Sequence, residues 1–95
     1  MPWTWDPEKS RTNKRKHGLS FDTAQLVFDD ALALSRPDNT DEEERWQTVG
    51  LIAGAAVLVV HTASEAINDD AVVGRIISAR KATTRERKAY EEGEF

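Results

Sequence analysis

The stretch Val72–Tyr90, VVGRIISARKATTRERKAY, joins a β-branched apolar run directly to a basic helix, with little more than Lys81-Ala82 between them. Val72, Val73, Ile76 and Ile77 favour a pleated, half-buried strand. Thr83 to Glu86 spells T-x-x-E, the reciprocal cap in which Thr83 accepts from the Glu86 amide and Glu86 reaches back to the Thr83 amide. Four guanidinium groups (Arg75, Arg80, Arg85, Arg87) and one phenol (Tyr90) are thereby set on a rigid strand and the helix leaving it. Planar, permanently charged forks on rigid backbone suit phosphate binding better than flexible lysines do. The competing reading is a core strand followed by a solvated, salt-bridged helix, because charge runs commonly serve only to solvate a face.

Working outward, Arg45–Ile52 and Ala55–Thr62 read as two strands joined by Ala53-Gly54, a hairpin signal. On the second, Val57, Val59 and His61 share one face and Leu58, Val60 and Thr62 the other. Both faces are apolar, which predicts a central strand. Near the start, Trp3-Thr4-Trp5 suits a short strand with both indoles on one face. Asp6 is a good N-cap and Pro7 belongs at the first helical position, so a helix runs from there to about His17 and stops at Gly18. Ser20 caps a second helix, Phe21–Phe28, whose buried stripe is Ala24, Val27 and Phe28, with Leu19 placed to staple against Ala24. Ala31–Ser35 reads as a short strand, Arg36–Glu44 and Ala63–Ala71 as polar loops, and Thr83–Glu92 as the last helix. The order β-α-α-β-β-β-β-α predicts an α+β domain: a small, mainly antiparallel sheet with two N-terminal helices and one C-terminal helix.

Ninety-five residues make one small domain with little margin of core. The absence of cysteine excludes a disulfide framework, a thiolate metal site and a cysteine nucleophile, and fits a reducing cytoplasm. No secretory signal is visible at the start, and the longest apolar run, Leu51–Val60, is too short to span a bilayer. The net charge of −4 is strongly segregated: residues 1–20 carry +3, 21–44 carry −7, 45–74 carry −2 and 75–95 carry +2. Overall acidity counts against indiscriminate polyanion binding, but leaves room for a local basic cleft if the two basic segments meet. The acidic Asp38, Asp41, Glu42, Glu43 and Glu44 lack the mid-loop glycine and alternating ligands of an EF-hand, so a solvated loop is the better reading than a metal site.

Several short pieces then align with one family: Trp5-Asp6-Pro7 with Lys9; Asn13 with Lys16-His17-Gly18; Ser20-Phe21 and Val27-Phe28-Asp29-Asp30; Glu44-Arg45; and Gly50. They continue with Leu58-Val59-Val60-His61-Thr62, with Arg75 through Thr83, with Glu86-Arg87, and with Tyr90-Glu91. With these the chain resembles the BrnT toxins of bacterial type II toxin–antitoxin systems. Ala53–Ala56 and the length of Ala63–Ala71 depart from the pattern without removing a motif residue. The resemblance implies a RelE-like fold and an endoribonuclease that blocks translation. No cofactor is expected. The resemblance further implies a BrnA-type antitoxin whose ribbon-helix-helix part binds operator DNA, so that the toxin would meet DNA only indirectly, within a hetero-oligomer.

Metal-free RNA cleavage needs a base for the attacking 2′-OH, positive charge at the phosphorane-like transition state and an acid for the leaving 5′-oxygen. Arg80 is the first choice for that charge, because it lies where the strand gives way to the helix. Arg75 lies five residues earlier, so strict alternation puts the two on opposite faces unless a bulge re-aims one; its other reading is an ion pair with Asp69 or Asp70. His61 is the general acid–base candidate by pKa, although a histidine on an apolar strand is commonly a satisfied core residue. Glu86 and Tyr90 share a helical face beside Arg87, and Tyr90 serves either RNA or helix packing. Lys14, Arg15, Lys16 and His17, with Arg85 and Arg87, are the RNA-backbone candidates, the first four also explained by the helix dipole. A non-catalytic module that binds a partner within a DNA-bound repressor complex is the alternative function.

Overall fold

A computed structural model describes residues 3–38, 44–62, 65–68 and 71–95. Strand β1 (Trp3–Thr4) leads to helix α1 (Pro7–His17), α2 (Phe21–Ala24) and a 3₁₀ turn over Gln25–Asp29. Strands β2 (Leu34–Asp38), β3 (Arg45–Ile52), β4 (Ala55–Thr62), β5 (Glu65–Asn68) and β6 (Ala71–Lys81) follow, and α3 (Thr84–Glu92) comes last. The fold is α+β. The sheet runs β1-β6-β4-β3-β2, with β5 also paired to β6. All its pairings are antiparallel except β1 with β6.

The helices begin and end where local chemistry directs. The Asp6 carboxylate accepts from the Glu8 amide at 2.9 Å, and Pro7 opens α1, which closes on Gly18 at a φ of 76°. At α3 both halves of the Thr83–Glu86 capping box are made, at 3.1 and 2.8 Å. Gly74 is required for a different reason. A Cβ there would overlap the Trp3 ring that covers it.

Helices lie on both faces of the sheet. On one, Phe21, Ala24 and Val27 close over Val57, Val59, Ile76 and Ala79, with Trp3, Trp5, Leu19 and Phe28 at the margin. Helix α1 carries almost no apolar residues and is held by polar ones. The Asn13 amide donates to the Ala79 and Leu19 carbonyls at 2.8 Å each, and its oxygen accepts from the Ala79 amide at 3.2 Å. Ser10 Oγ accepts from the Phe21 amide at 2.9 Å. On the opposite face α3 brings Tyr90 against Val49 and Leu58, with Leu34, Val60, Ala82 and Phe95 beside them.

Four local expectations are corrected. The second helix turns 3₁₀ at Gln25, though Ala24 and Val27 are buried as its periodicity requires. The strand expected at Ala31–Ser35 starts at Leu34 instead. The Asp30 carboxylate takes the Leu32 amide and the Asp30 carbonyl takes the Ala33 amide, which makes a turn of that segment. Arg36, Pro37 and Asp38, read as loop, are therefore strand, and Pro37 is tolerated because β2 is the edge of the path. Part of the Ala63–Ala71 loop pairs as β5, taking up β6 at Val73 after β4 has followed it to Ile76. The residues Asp41–Glu43 of the acidic loop lie outside those described, as do Asp69 and Asp70.

Candidate nucleic-acid interface

The position of Arg75 and Arg80 is set by an irregularity in β6. Val60 pairs with Ser78 and the next residue, His61, pairs with Ile76, so β6 spends one extra residue at Ile77. A bulge of this kind reverses which side chains face which way. Ile76 and Ala79, three apart, both join the core under α1 and α2. Positions 75 and 80 consequently share the other face, the one that α3 partly covers.

Strands β2 and β3 place two more arginines there. Ser35 and Thr48 share a hydrogen bond of 2.7 Å, and Thr48 one of 2.6 Å with His61, all on the α1/α2 face. Alternation then turns Arg36, Arg45 and Gln47 to the α3 face. Arg36 Nε donates to Gln47 at 2.9 Å, and its guanidinium lies 4.0 Å from the Phe95 ring centre. Gln47 also donates to Asp38 at 2.7 Å. Arg45 and Arg75 fall on one row of the sheet, either side of Thr62, whose hydroxyl accepts from the Arg75 amide at 2.9 Å.

Glu86 is the point on which Arg36 and Arg80 converge. Arg80 meets its carboxylate with both terminal nitrogens, at 2.7 and 3.0 Å, while a nitrogen of Arg36 lies 3.9 Å away. The Arg80 fork lowers the Glu86 pKa to about 2, with the Thr83 amide helping against the cost of burial. The same pairing raises Arg80. Glu86 is thus an anion at any neutral pH, held by two guanidinium groups and a helix N-terminus. A phosphate oxygen would find the same donors suitable.

Tyr90, one turn on, points elsewhere. Its hydroxyl donates to Asp30 at 2.6 Å, and Asp30 also accepts from the Leu51 and Leu32 amides at 2.8 and 2.9 Å. The bond from Tyr90 lowers the Asp30 carboxyl and raises the phenol. His61 is buried on the far face, 6% exposed, with the Trp3 and Phe28 rings edge-on at 5.0 Å each. The Thr62 carbonyl, 2.7 Å from Nδ1, can only accept, so Nδ1 carries the proton and Nε2 accepts from Thr48. Burial lowers its pKa and keeps the ring neutral.

The remaining cations are scattered. Lys14, Arg15, Lys16 and His17 are exposed on α1, in the layer opposite α3, so the two basic segments do not form one cleft. Arg85 is exposed in the first turn of α3. Arg87 lies 3.6 Å from Glu91 and beside Lys81 in a cleft of about 200 Å³ next to the β3–β4 hairpin.

Residues 5–86 match the family model described as the ribonuclease toxin, BrnT, of type II toxin–antitoxin systems. The chain belongs to that family. No curated protein matches it. As a toxin of a type II system it has an antitoxin for partner. No helix among the described residues is long and apolar enough to cross a membrane. For a BrnT-family ribonuclease the arginine-bearing sheet face is the natural candidate site, and reading the sequence missed Arg36 and Arg45 as part of it. Arg36 was hidden in a stretch that looked like a turn. Arg45 stood in the quoted Glu44-Arg45 pair, but its face could not be assigned until the partner of Thr48 was known.

Proposed function

We propose that this toxin is an endoribonuclease that binds RNA across the α3 face of its sheet and cleaves it without a metal, halting translation until a BrnA-type antitoxin neutralises it. One observation carries the reading: the β6 bulge puts Arg75 and Arg80 on the face to which β2 and β3 turn Arg36 and Arg45. In the reaction the ribose 2′-oxygen attacks the adjacent phosphorus, the P–O5′ bond breaks, and a 2′,3′-cyclic phosphate and a 5′-hydroxyl result. Arg80 and Arg36 stabilise the extra negative charge on the phosphorane oxygens, with Arg75 and Arg45 holding flanking phosphates.

Glu86 is too weak a base at a pKa of about 2 to remove the 2′-OH proton efficiently, and serves to orient Arg80. Tyr90 anchors α3 through Asp30, and His61 is a core residue behind the sheet. The 2′-proton therefore passes to solvent, and the departing O5′ takes one from solvent. Lys14, Arg15, Lys16 and His17, with Arg85 and Arg87, supply general attraction for a polyanion outside this face. The antitoxin's ribbon-helix-helix part carries the complex to operator DNA.

The full pairing of Arg80 with Glu86 is also what a non-catalytic co-repressor would show. Purified protein incubated with RNA, with and without EDTA, separates the two readings. Cleavage that survives EDTA and disappears in Arg80→Ala supports the ribonuclease. Intact RNA under both conditions supports the co-repressor.

A further inference from the structure

Among the described residues, Leu32 is the most exposed of the large apolar side chains at 72%, with Leu26 and Leu51 next. Leu32 forms part of one wall of a groove of about 370 Å³, together with Ala31, Ala33 and Leu34. The carboxylate of Asp30 binds the amides of both Leu32 and Leu51, which fixes this wall to β3 at another exposed leucine. The opposite wall is the last turn of α3, where Tyr90, Glu91, Glu92 and Gly93 line the space.

That turn is electrostatically unfinished. A helix C-terminus carries partial negative charge and ordinarily gathers lysine or arginine. In α3 the last turn has no basic residue and two glutamates instead, of which Glu91 lies 3.6 Å from Arg87 a turn earlier and Glu92 adds a second negative charge. An apolar wall facing an anionic one repels nucleic acid, and fits a protein segment that offers a leucine-like side chain and a cation together. A type II toxin has an antitoxin to bind. The groove is also well placed for control. Glu86 lies five residues before Glu91 on α3, about 7.5 Å along its axis, so a segment seated here lies close to the Arg80–Glu86 pair.

We propose that the groove between Ala31–Leu34 and the last turn of α3 receives an apolar, lysine- or arginine-bearing segment of the antitoxin. This rests on the family's antitoxin partnership and not on the assignment of the RNA site. The test uses the full-length chain and its full-length cognate antitoxin, with affinity measured by titration calorimetry at low and moderate salt. Leu32→Asp is expected to weaken binding at least 100-fold, and Glu91→Lys with Glu92→Lys at least tenfold with a flatter salt dependence. Thermal melts check folding, and the charge-reversal pair reads the groove even if Leu32→Asp folds poorly. Unbound variants keep whatever RNA cleavage the parent shows, so a parent inactive on RNA leaves the binding arm intact. Wild-type affinity in both folded variants overturns the assignment. So does sedimentation showing a dimer of this chain that Leu32→Asp dissolves without changing antitoxin affinity, since the groove would then join two copies.

Discussion

Under α1 and α2 the sheet is dry: Phe21, Val27, Val59 and Ile76 are closed to water, and the buried Ser10, Asn13, Thr48 and His61 all find hydrogen-bond partners. The Trp46 indole N–H is the one buried side-chain atom among the described residues without one. The other side of the same strands is half covered by a single helix, and its polar groups are long, mostly charged ones: arginines, Gln47 and Glu86. Both faces hold polar residues, so polarity alone does not mark a site. What differs is where the paired groups sit: sealed among apolar side chains on one face, and held at the edge of solvent on the other.

The contrast is tested first by substitutions that should separate stability from activity. Phe21→Ala, in the dry core, should destabilise the fold by about 3–5 kcal/mol, read by denaturant titration. RNA cleavage by the fraction still folded should be unchanged. Arg80→Ala should act mainly on rate, cutting cleavage by roughly 100-fold, or about 2.7 kcal/mol of barrier, with a smaller stability loss on the order of 1–2 kcal/mol from its broken pair with Glu86. Lost activity per folded molecule in Phe21→Ala, or a stability loss in Arg80→Ala as large as that of Phe21→Ala, would blur the division between the faces.

The sign of a pH effect sharpens it further. Because the Glu86 pKa is depressed to about 2 in the fold, its stabilisation is fully present above its ordinary value of 4.5 and is lost as pH falls from there towards 2. Part-exposed Arg80 screens the pair, so the contribution is on the order of 1–2 kcal/mol. Glu86→Gln should flatten stability against pH across that window in urea titrations. The rate of RNA cleavage should show no step near pH 6.5, since both histidines lie off the arginine face. A step in the rate below pH 6.5, where burial moves His61, would return that residue to the mechanism.

Much of the scaffold was legible because short-range chemistry decides it. Asp6-Pro7, Gly18 and the Thr83–Glu86 box each act within a turn of chain, and the alternation of β4 gave the correct faces for Val57, Val59 and His61. The arginine face was not legible, because it depends on pairing between distant strands. Nothing in Arg75–Arg80 announces the extra residue at Ile77, yet that residue decides whether the two arginines share a side. Arg36 entered the sheet only because β3 offered it a partner across Gln47. Likewise His61 has the right pKa in isolation, and only the rings of Trp3 and Phe28 show that it is enclosed.

The smallest expected effect concerns a place where the sequence resists its own backbone. Ala53 sits at a φ of 49° before Gly54 in the hairpin, a conformation that an alanine adopts at a cost. Ala53→Asn should stabilise the protein by about 0.5–1 kcal/mol, since asparagine–glycine suits this turn, with activity unchanged.

The central claim is spatial, and nuclear magnetic resonance reads it directly. Titrating the labelled protein with a 2′-O-methyl RNA, which cannot be cleaved, should shift the Arg36 and Arg80 guanidinium signals and the amides of Gln47, Val60 and Ser78. Signals of His61 and of Lys14–His17 should move far less. Shifts confined to α1 and its neighbours, with the Arg80–Glu86 pair unmoved, would contradict the account.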